Sequence, residues 1–241
     1  MAIAALDRTA VIATIRLAAV RSGVDFDYLL GQARVESGLN TLAAAPTSSA
    51  RGLFQFTRGT WLDMVRRHGA EHGMATEAAT LARGATLAER AEILALRHDA
   101  GASAAMAAAF ARDNAATLER RLGRSASPTD LYLAHFLGPA GAVRFLRARD
   151  ANPDATAASA VLPTAARANA GVFKAASGRT RTIDEVYARF EAKLGVAPAP
   201  TSVEPRFDTR YRGGTALPPT GTALPVAAAR TAYLLLAELG A

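Results

Sequence analysis

Cysteine is absent from the 241-residue chain, which excludes disulfides, iron–sulfur clusters and thiolate zinc sites and leaves the redox compartment open. Aromatics are scarce, at 6%, with a single tryptophan. Alanine is abundant instead, so the expected core is one of closely packed helices. Long apolar runs are missing as well. Near the N-terminus "AVIATIRLAAV" is interrupted by Arg16 and preceded by Asp7 and Arg8, with no cleavage pattern behind it, and does not read as a signal peptide. The C-terminal "PVAAARTAYLLLAELGA" is too short to span a bilayer and carries Arg230 and Glu238. A soluble chain with no transmembrane segment is expected, and no export route is visible. Metal-ligand patterns are also lacking. His68 and His72 stand four apart beside Gly69 and Gly73, His98 and His135 stand alone, and no metal site is expected.

Acidic residues are outnumbered 21 to 28 by Lys and Arg, for a formal charge of +7. That excess favours anionic partners: nucleic acid, acidic lipid, or an anionic polymer such as cell wall. Composition does not choose among them, but no helix gathers Lys and Arg into a recognition surface, which argues against nucleic acid. Residues 1–195 hold 24 of the basic and 18 of the acidic groups, so nearly all the excess lies there. Half the residues are hydrophobic and a fifth charged, a globular balance in a chain long enough for one sizeable domain plus an appendage.

Period-two alternation never lasts long enough for a strand, and the expected fold is all-α. Helices are expected over 7–22, with Asp7 as N-cap, over 25–37 with Gly38 closing it, and over 60–68, 86–98 and 102–122. "SPTD" at 127–130 starts another, with Pro128 suited to a first turn. Gly138-Pro139 breaks that helix before a further one at 140–149. Short pieces around 156–170 and a helix at 182–194 complete a domain spanning 1–195. Residues 196–226, with "VAPAPTSVEP" and "GGTALPPTGTALP", read as a Pro/Gly/Thr-rich linker. An apolar helix follows at 227–241, and its consecutive Leu234, Leu235 and Leu236 favour a protein partner or intermittent docking over a permanent place in the fold.

One further scarcity is local. After Glu36 the next acid is Asp63; the 26 positions between hold Ser, Thr, Asn, Gly, Gln and a Trp but no carboxylate. On the second helix Phe26, Leu29, Leu30 and Ala33 follow i, i+3, i+4, i+7. Glu36 comes seven residues after Leu29, so at ~100° per residue it lies about 20° from it around the axis. Its carboxyl therefore points to the core side. A carboxyl held among apolar neighbours at a helix C-terminus resists ionising, which suits general acid catalysis on a poor leaving group such as a glycosidic oxygen.

"ESGLN", "SSARGLFQF" and "TW", in this order and spacing, resemble the lytic transglycosylase domains (SLT, goose-lysozyme-like) that cleave bacterial peptidoglycan. The matching positions are Glu36-Ser37, Asn40, Gly52-Leu53-Phe54-Gln55 and Thr60-Trp61, within a resemblance covering roughly residues 5–195. It implies that Glu36 is the acid and that Gln55 reaches sugar amides or hydroxyls, with Ser48 and Ser49 of the same loop as further substrate-binding candidates. Ser37 and Asn40 are read as support, and Trp61 as core. Two departures stand out. Ser49 replaces the usual Gly before the Ala of the loop, and "AHFLGPAG" at 134–141 replaces Ala-Tyr-Asn-Ala-Gly, placing Phe136 where an Asn is common. "LYLAHFLG" looks more like the phage-type variant of the superfamily, in which a Tyr and a His one turn apart face the cleft; Tyr132 and His135 stand at i and i+3. Tyr187 of "RTIDEVYARF" is the candidate for a tyrosine on the last cleft helix.

Glycosidases generally use two carboxylates, and no second one is apparent near Glu36. The resemblance implies a way round this. The muramoyl 6-hydroxyl attacks its own anomeric carbon, helped by the 2-acetamido group, and Glu36 serves first as acid and then as base. No cofactor is implied, and the substrate implies the periplasm or cell envelope. Two rival readings are a hydrolytic muramidase with an unrecognised second acid, and a non-catalytic wall-binding or structural module.

Overall fold

The structure, a computed structural model, describes residues 7–155, 163, 166 and 169–195. Among these residues it is all-α, with isolated bridges and no strand. The linker at 196–226, the helix at 227–241 and most of the short pieces expected around 156–170 lie outside the described residues.

Helix α1 (Arg8–Ser22) buries Val11, Ile15 and Ala19, spaced by four, as one stripe. Asp7 stands at its N-cap position without a side-chain cap bond. Helix α2 (Phe26–Ser37) is capped by Asp25, whose side chain accepts from the Tyr28 N–H at 2.7 Å. Gly38, at φ 63°, closes it by donating to the carbonyls of Ala33 and Arg34. Helix α3 (Arg58–His68) begins two residues earlier than its pattern suggests because Thr57 caps it. Helix α4 (Ala75–Ala82), in a segment where no helix is expected from the sequence, packs on α3. Helix α5 (Leu87–Ala95) opens on a capping box of Thr86 and Glu89 and ends sooner than its pattern suggests, tightening into a 3-10 turn at Leu96–His98.

Helix α6 (Ala100–Leu122) is the centre of the domain and contacts α1, α2, α3 and α7. Its buried positions include Ala104, Ala107, Ala108 and Ala111, whose small side chains let neighbouring helices approach closely. Helix α7 (Pro128–Ala151) starts at a Ser127/Asp130 capping box with Pro128 in the first turn. It is interrupted at Gly138, whose φ 69° and ψ 157° are not helical, immediately before Pro139. The segment before this break carries Tyr132 and His135. After the short α8 (Ala170–Phe173), helix α9 (Ile183–Leu194) packs across α7 and α2. Gly31 makes the α2–α9 approach possible: a Cβ there would stand 2.7 Å from the Leu194 carbonyl oxygen. The last turn of α9 is thereby brought beside the helix that carries Glu36.

Between α2 and α3 the chain folds into a tight loop rather than an open one. Bridges pair Ala44 with Arg51 and Arg51 with Phe56, and the Gly52 N–H donates to the Ala43 carbonyl at 2.8 Å. Arg97, buried, clasps this loop from outside. Its Nη1 donates to the carbonyls of Ser49 (2.7 Å) and Phe56 (3.2 Å), and its Nε to that of Leu94 (2.9 Å). Burial first, then the charges of Arg51 and Arg58, lower the Arg97 pKa to about 10. Trp61 is fully buried and donates its Nε1–H to the Ile93 carbonyl at 2.7 Å, the core role expected of it.

Candidate active site

Glu36 is the last acid of α2 and is 6% exposed. The helical face that buries Tyr28, Leu29, Gln32 and Ala33 also buries its carboxyl, in line with its angular position. Two side chains of α7 converge on one oxygen of that carboxyl. The Tyr132 hydroxyl donates to Oε1 from 3.4 Å, and His135 Nε2 stands 3.5 Å from the same atom. Both distances are long for hydrogen bonds. Tyr132 and His135 stack on each other, with ring centroids 5.9 Å apart and planes 13° from parallel. Phe110 of α6 meets His135 edge-on, and Phe190 of α9 meets Tyr132 edge-on. The rings are thus held on both sides.

Burial, and next the negative charge of Glu36, push the Tyr132 hydroxyl well above its ordinary pKa. Tyr28 is raised for the same two reasons in the same order. Both phenols therefore stay protonated at neutral pH, and Tyr132 acts toward Glu36 as a donor. Lys193, on the last turn of α9, places its ammonium 5.6 Å from the Tyr132 ring centroid. The residue is exposed. Desolvation lowers its pKa; the charge of Glu36 opposes that shift and Arg189 adds to it.

The remaining sequence candidates fall into two groups. Ser37 donates its hydroxyl to the Leu53 carbonyl at 2.8 Å and so ties the end of α2 to the loop. Asn40 accepts the Leu42 N–H at 2.9 Å, an Asx turn that starts the same loop. Both are loop-closing hydrogen bonds. Gln55, Ser48 and Ser49, read as sugar contacts, all make hydrogen bonds with the backbone in or beside this loop. Gln55 is only 2% exposed, sits at φ 49°, and donates its amide to the carbonyls of Gly52 (2.8 Å) and Ala43 (3.2 Å). Closing a turn with so little room draws the side chain inward. The Ser48 hydroxyl accepts the Ala50 N–H, and that of Ser49 accepts the N–H of Arg58 at the start of α3, both at 3.2 Å.

Tyr187 is not turned to Glu36. Its hydroxyl donates to Asp130 Oδ1 at 3.1 Å and lies 2.9 Å from the Ser127 hydroxyl, under the Arg149 guanidinium. It belongs to the polar network that anchors the first turn of α7, where the fully buried Asp130 also holds Arg124. Phe136, at the position where an Asn is common, is buried against Phe190 with centroids 4.9 Å apart. Asp63, the next acid after Glu36, turns to Arg66 and Arg67 on α3 and is held below its usual pKa by them, against the effect of burial.

Two site residues escaped the sequence reading. Gln32 lies one turn before Glu36 on the buried face of α2, and its Nε2 is 3.1 Å from His135 Nδ1. The i, i+4 spacing to Glu36 was an available signal for it. Lys193 had none, because its place depends on the packing of α9. Among the described residues, no group of three or more His, Cys, Asp or Glu could hold a metal ion, and no helix is long and apolar enough to cross a membrane. No protein-family model matches the chain.

Proposed function

We propose that this protein is a peptidoglycan lytic transglycosylase that cleaves the MurNAc–GlcNAc β-1,4 bond and leaves 1,6-anhydro-MurNAc ends. The observation that carries the reading is the setting of Glu36. It is a buried carboxyl at the end of α2, approached at one oxygen by the Tyr132 hydroxyl and by His135 Nε2. The acid-free stretch from Glu36 to Asp63 and the outward pairing of Asp63 with Arg66 and Arg67 agree with a one-carboxylate mechanism.

In that mechanism Glu36 gives its proton to the glycosidic oxygen as the bond from C1 of MurNAc to that oxygen breaks. The 6-hydroxyl of the same MurNAc then forms the new bond to C1, and its proton passes to the Glu36 carboxylate, restoring the acid. No water enters the product. A donor such as the Tyr132 hydroxyl helps to hold the carboxylate during the interval when it is charged. The basic excess of the chain suits an anionic wall polymer, and the substrate places the work in the cell envelope.

The reading is tested with Glu36→Gln, which keeps the shape of the side chain and removes its acid. Release of soluble muropeptides from purified sacculi should fall by at least about a hundredfold, with the circular dichroism spectrum and sacculus binding retained. A wild-type protein that binds sacculi and releases nothing would make this a wall-binding module instead.

A further inference from the structure

Three arginines gather on the loop between α2 and α3, and no carboxylate answers them. Arg51 Nη1 donates into the carbonyls of Ala45 (3.3 Å), Ser48 (3.0 Å) and Ala50 (2.8 Å). The carbonyl between the last two, that of Ser49, takes Arg97 Nη1 at 2.7 Å. Arg58 opens α3, and its N–H is held by the Ser49 hydroxyl oxygen at 3.2 Å. Among the described residues none of the three is in an ion pair. The acids nearest in sequence are turned elsewhere: Asp63 to Arg66 and Arg67, and Asp99 to the Ala102 N–H that it caps. After burial, the influences on Arg97 are the charges of Arg51 and Arg58, both repulsive. Like charges around a buried cation are costly to assemble, and an anion that joins them relieves the cost.

The donors these side chains leave over have a defined arrangement. A guanidinium carries five N–H groups in a planar fork. Holding Arg51 by Nη1 leaves its Nε and Nη2 without a partner among the described residues, and that edge grips an oxyanion with two parallel bonds. Arg97 is only 8% exposed, commits Nε and Nη1 to carbonyls, and leaves Nη2 over. The Ser48 and Ser49 hydroxyls accept the N–H groups of Ala50 and Arg58, so each keeps its own hydrogen to donate. The N-terminus of α3 adds partial positive charge at the same place.

We infer that the turn from Ser48 to Arg51, with Arg58 and Arg97, is a binding site for a phosphate group, either the free ion or a phosphomonoester on a sugar. Opposite three cations, a phosphate with about 1.5 to 2 negative charges compensates more than the single charge of a carboxylate. Its oxygens can also accept from the Arg51 edge and the serine hydroxyls together. The acid-free stretch from Ser37 to Leu62 leaves the site no internal competitor for the arginines.

The test is NMR of nitrogen-15-labelled protein at about pH 7.5 and constant ionic strength, titrated with inorganic phosphate, glucose 6-phosphate or acetate. The Arg51 Nε–H signal is identified by its loss in Arg51→Lys. Both phosphates should shift it saturably, while the Nε–H of Arg97, bonded to the Leu94 carbonyl, stays nearly in place. Acetate should bind at least about tenfold more weakly. Tighter binding of glucose 6-phosphate assigns the site to sugar-borne phosphate, and the reverse order assigns it to the free ion. Arg51→Lys keeps the charge and loses the fork, so the dissociation constant should rise about tenfold. Arg58→Gln, at an exposed position, should raise it about threefold. Arg120→Gln removes the same charge about 30 Å along α6 from its start and should change nothing. An Arg51 Nε–H that does not move, acetate bound as tightly as phosphate, or equal weakening by Arg58→Gln and Arg120→Gln overturns the inference. The wild-type titration needs neither a variant nor turnover, so its result stands whether or not Glu36 cleaves glycans.

Discussion

Replacing Gly52 by alanine should unfold the domain far more readily than replacing Gly73, although both residues have nearly the same backbone conformation. Their φ angles are 79° and 80°. Putting a Cβ into this left-handed region costs about 1–2 kcal/mol at either site. The surroundings differ sharply. A Cβ on Gly73 meets nothing within 4 Å, whereas one on Gly52 would lie 1.8 Å from the Arg97 carbonyl oxygen and 2.8 Å from its carbonyl carbon. The obstacle is backbone, held at the junction of α5 and α6, and cannot rotate away. Displacing it also loosens the Arg97 clasp on the carbonyls of Ser49 and Phe56. An overpacking penalty of about 1–3 kcal/mol therefore adds to the conformational one, bringing Gly52→Ala to roughly 2–5 kcal/mol of a total stability on the order of 5–15 kcal/mol. Urea unfolding followed by the fluorescence of Trp61 gives both values from the shift in midpoint. The slope m should be unchanged. Equal losses in the two variants would refute the claim that contact with Arg97, rather than backbone strain, makes glycine necessary at position 52.

Other consequences follow from named contacts. Tyr132→Phe removes the hydroxyl that reaches Glu36 Oε1 and keeps the stacking on His135, so turnover of sacculi should fall about tenfold while the melting temperature stays within a few degrees; an unchanged rate would remove Tyr132 from the site. Glu89 and Glu185 are both held at a pKa of about 2, Glu89 chiefly by Arg83 and Glu185 chiefly by Arg179, with capping bonds adding to each. Since the folded values are depressed, their stabilisation is complete above the ordinary glutamate pKa of about 4.5 and is lost as pH falls through about 2. Both sit at the surface, so the effect should shrink at about 1 M salt, and the urea midpoint of Glu89→Gln/Glu185→Gln should fall less steeply than wild type between those pH values. An equally steep decline would assign the acid sensitivity to other carboxylates.

What could be read in the sequence was what short-range periodicity controls. The direction of Glu36 follows from its seven-residue separation from Leu29, and the closeness of Tyr132 to His135 from their i, i+3 spacing. The break in α7 follows from Gly138-Pro139. None of these needs a distant partner. Tyr187 was legible as a tyrosine on the last helix of the domain, but its partners Ser127 and Asp130 are set by how α9 lies across α7, and no local pattern encodes that crossing. Gln55 was ambiguous for a different reason. A motif glutamine in a turn reads equally well as a ligand or as a brace, and the choice depends on the carbonyls of Ala43 and Gly52 pointing at it. Arg97 was invisible because a buried arginine satisfied by carbonyls alone leaves no acidic partner in the sequence. Helix α4 was missed because it is only 8 residues long, opens at Met74 with no side-chain cap bond and closes at Arg83 rather than a glycine, so neither end carries a start or stop signal.

The most direct test of the account is the chemistry of the new chain ends. Purified sacculi digested with the protein, then with an amidase to strip the peptides, yield glycans whose termini mass spectrometry distinguishes by the mass of one water. With a single carboxyl and the substrate's own 6-hydroxyl as nucleophile, the account predicts 1,6-anhydro-MurNAc ends from the wild type and no new ends from Glu36→Gln. Reducing MurNAc ends, carrying the extra water, would contradict it and require a second acid or a bound water beside Glu36.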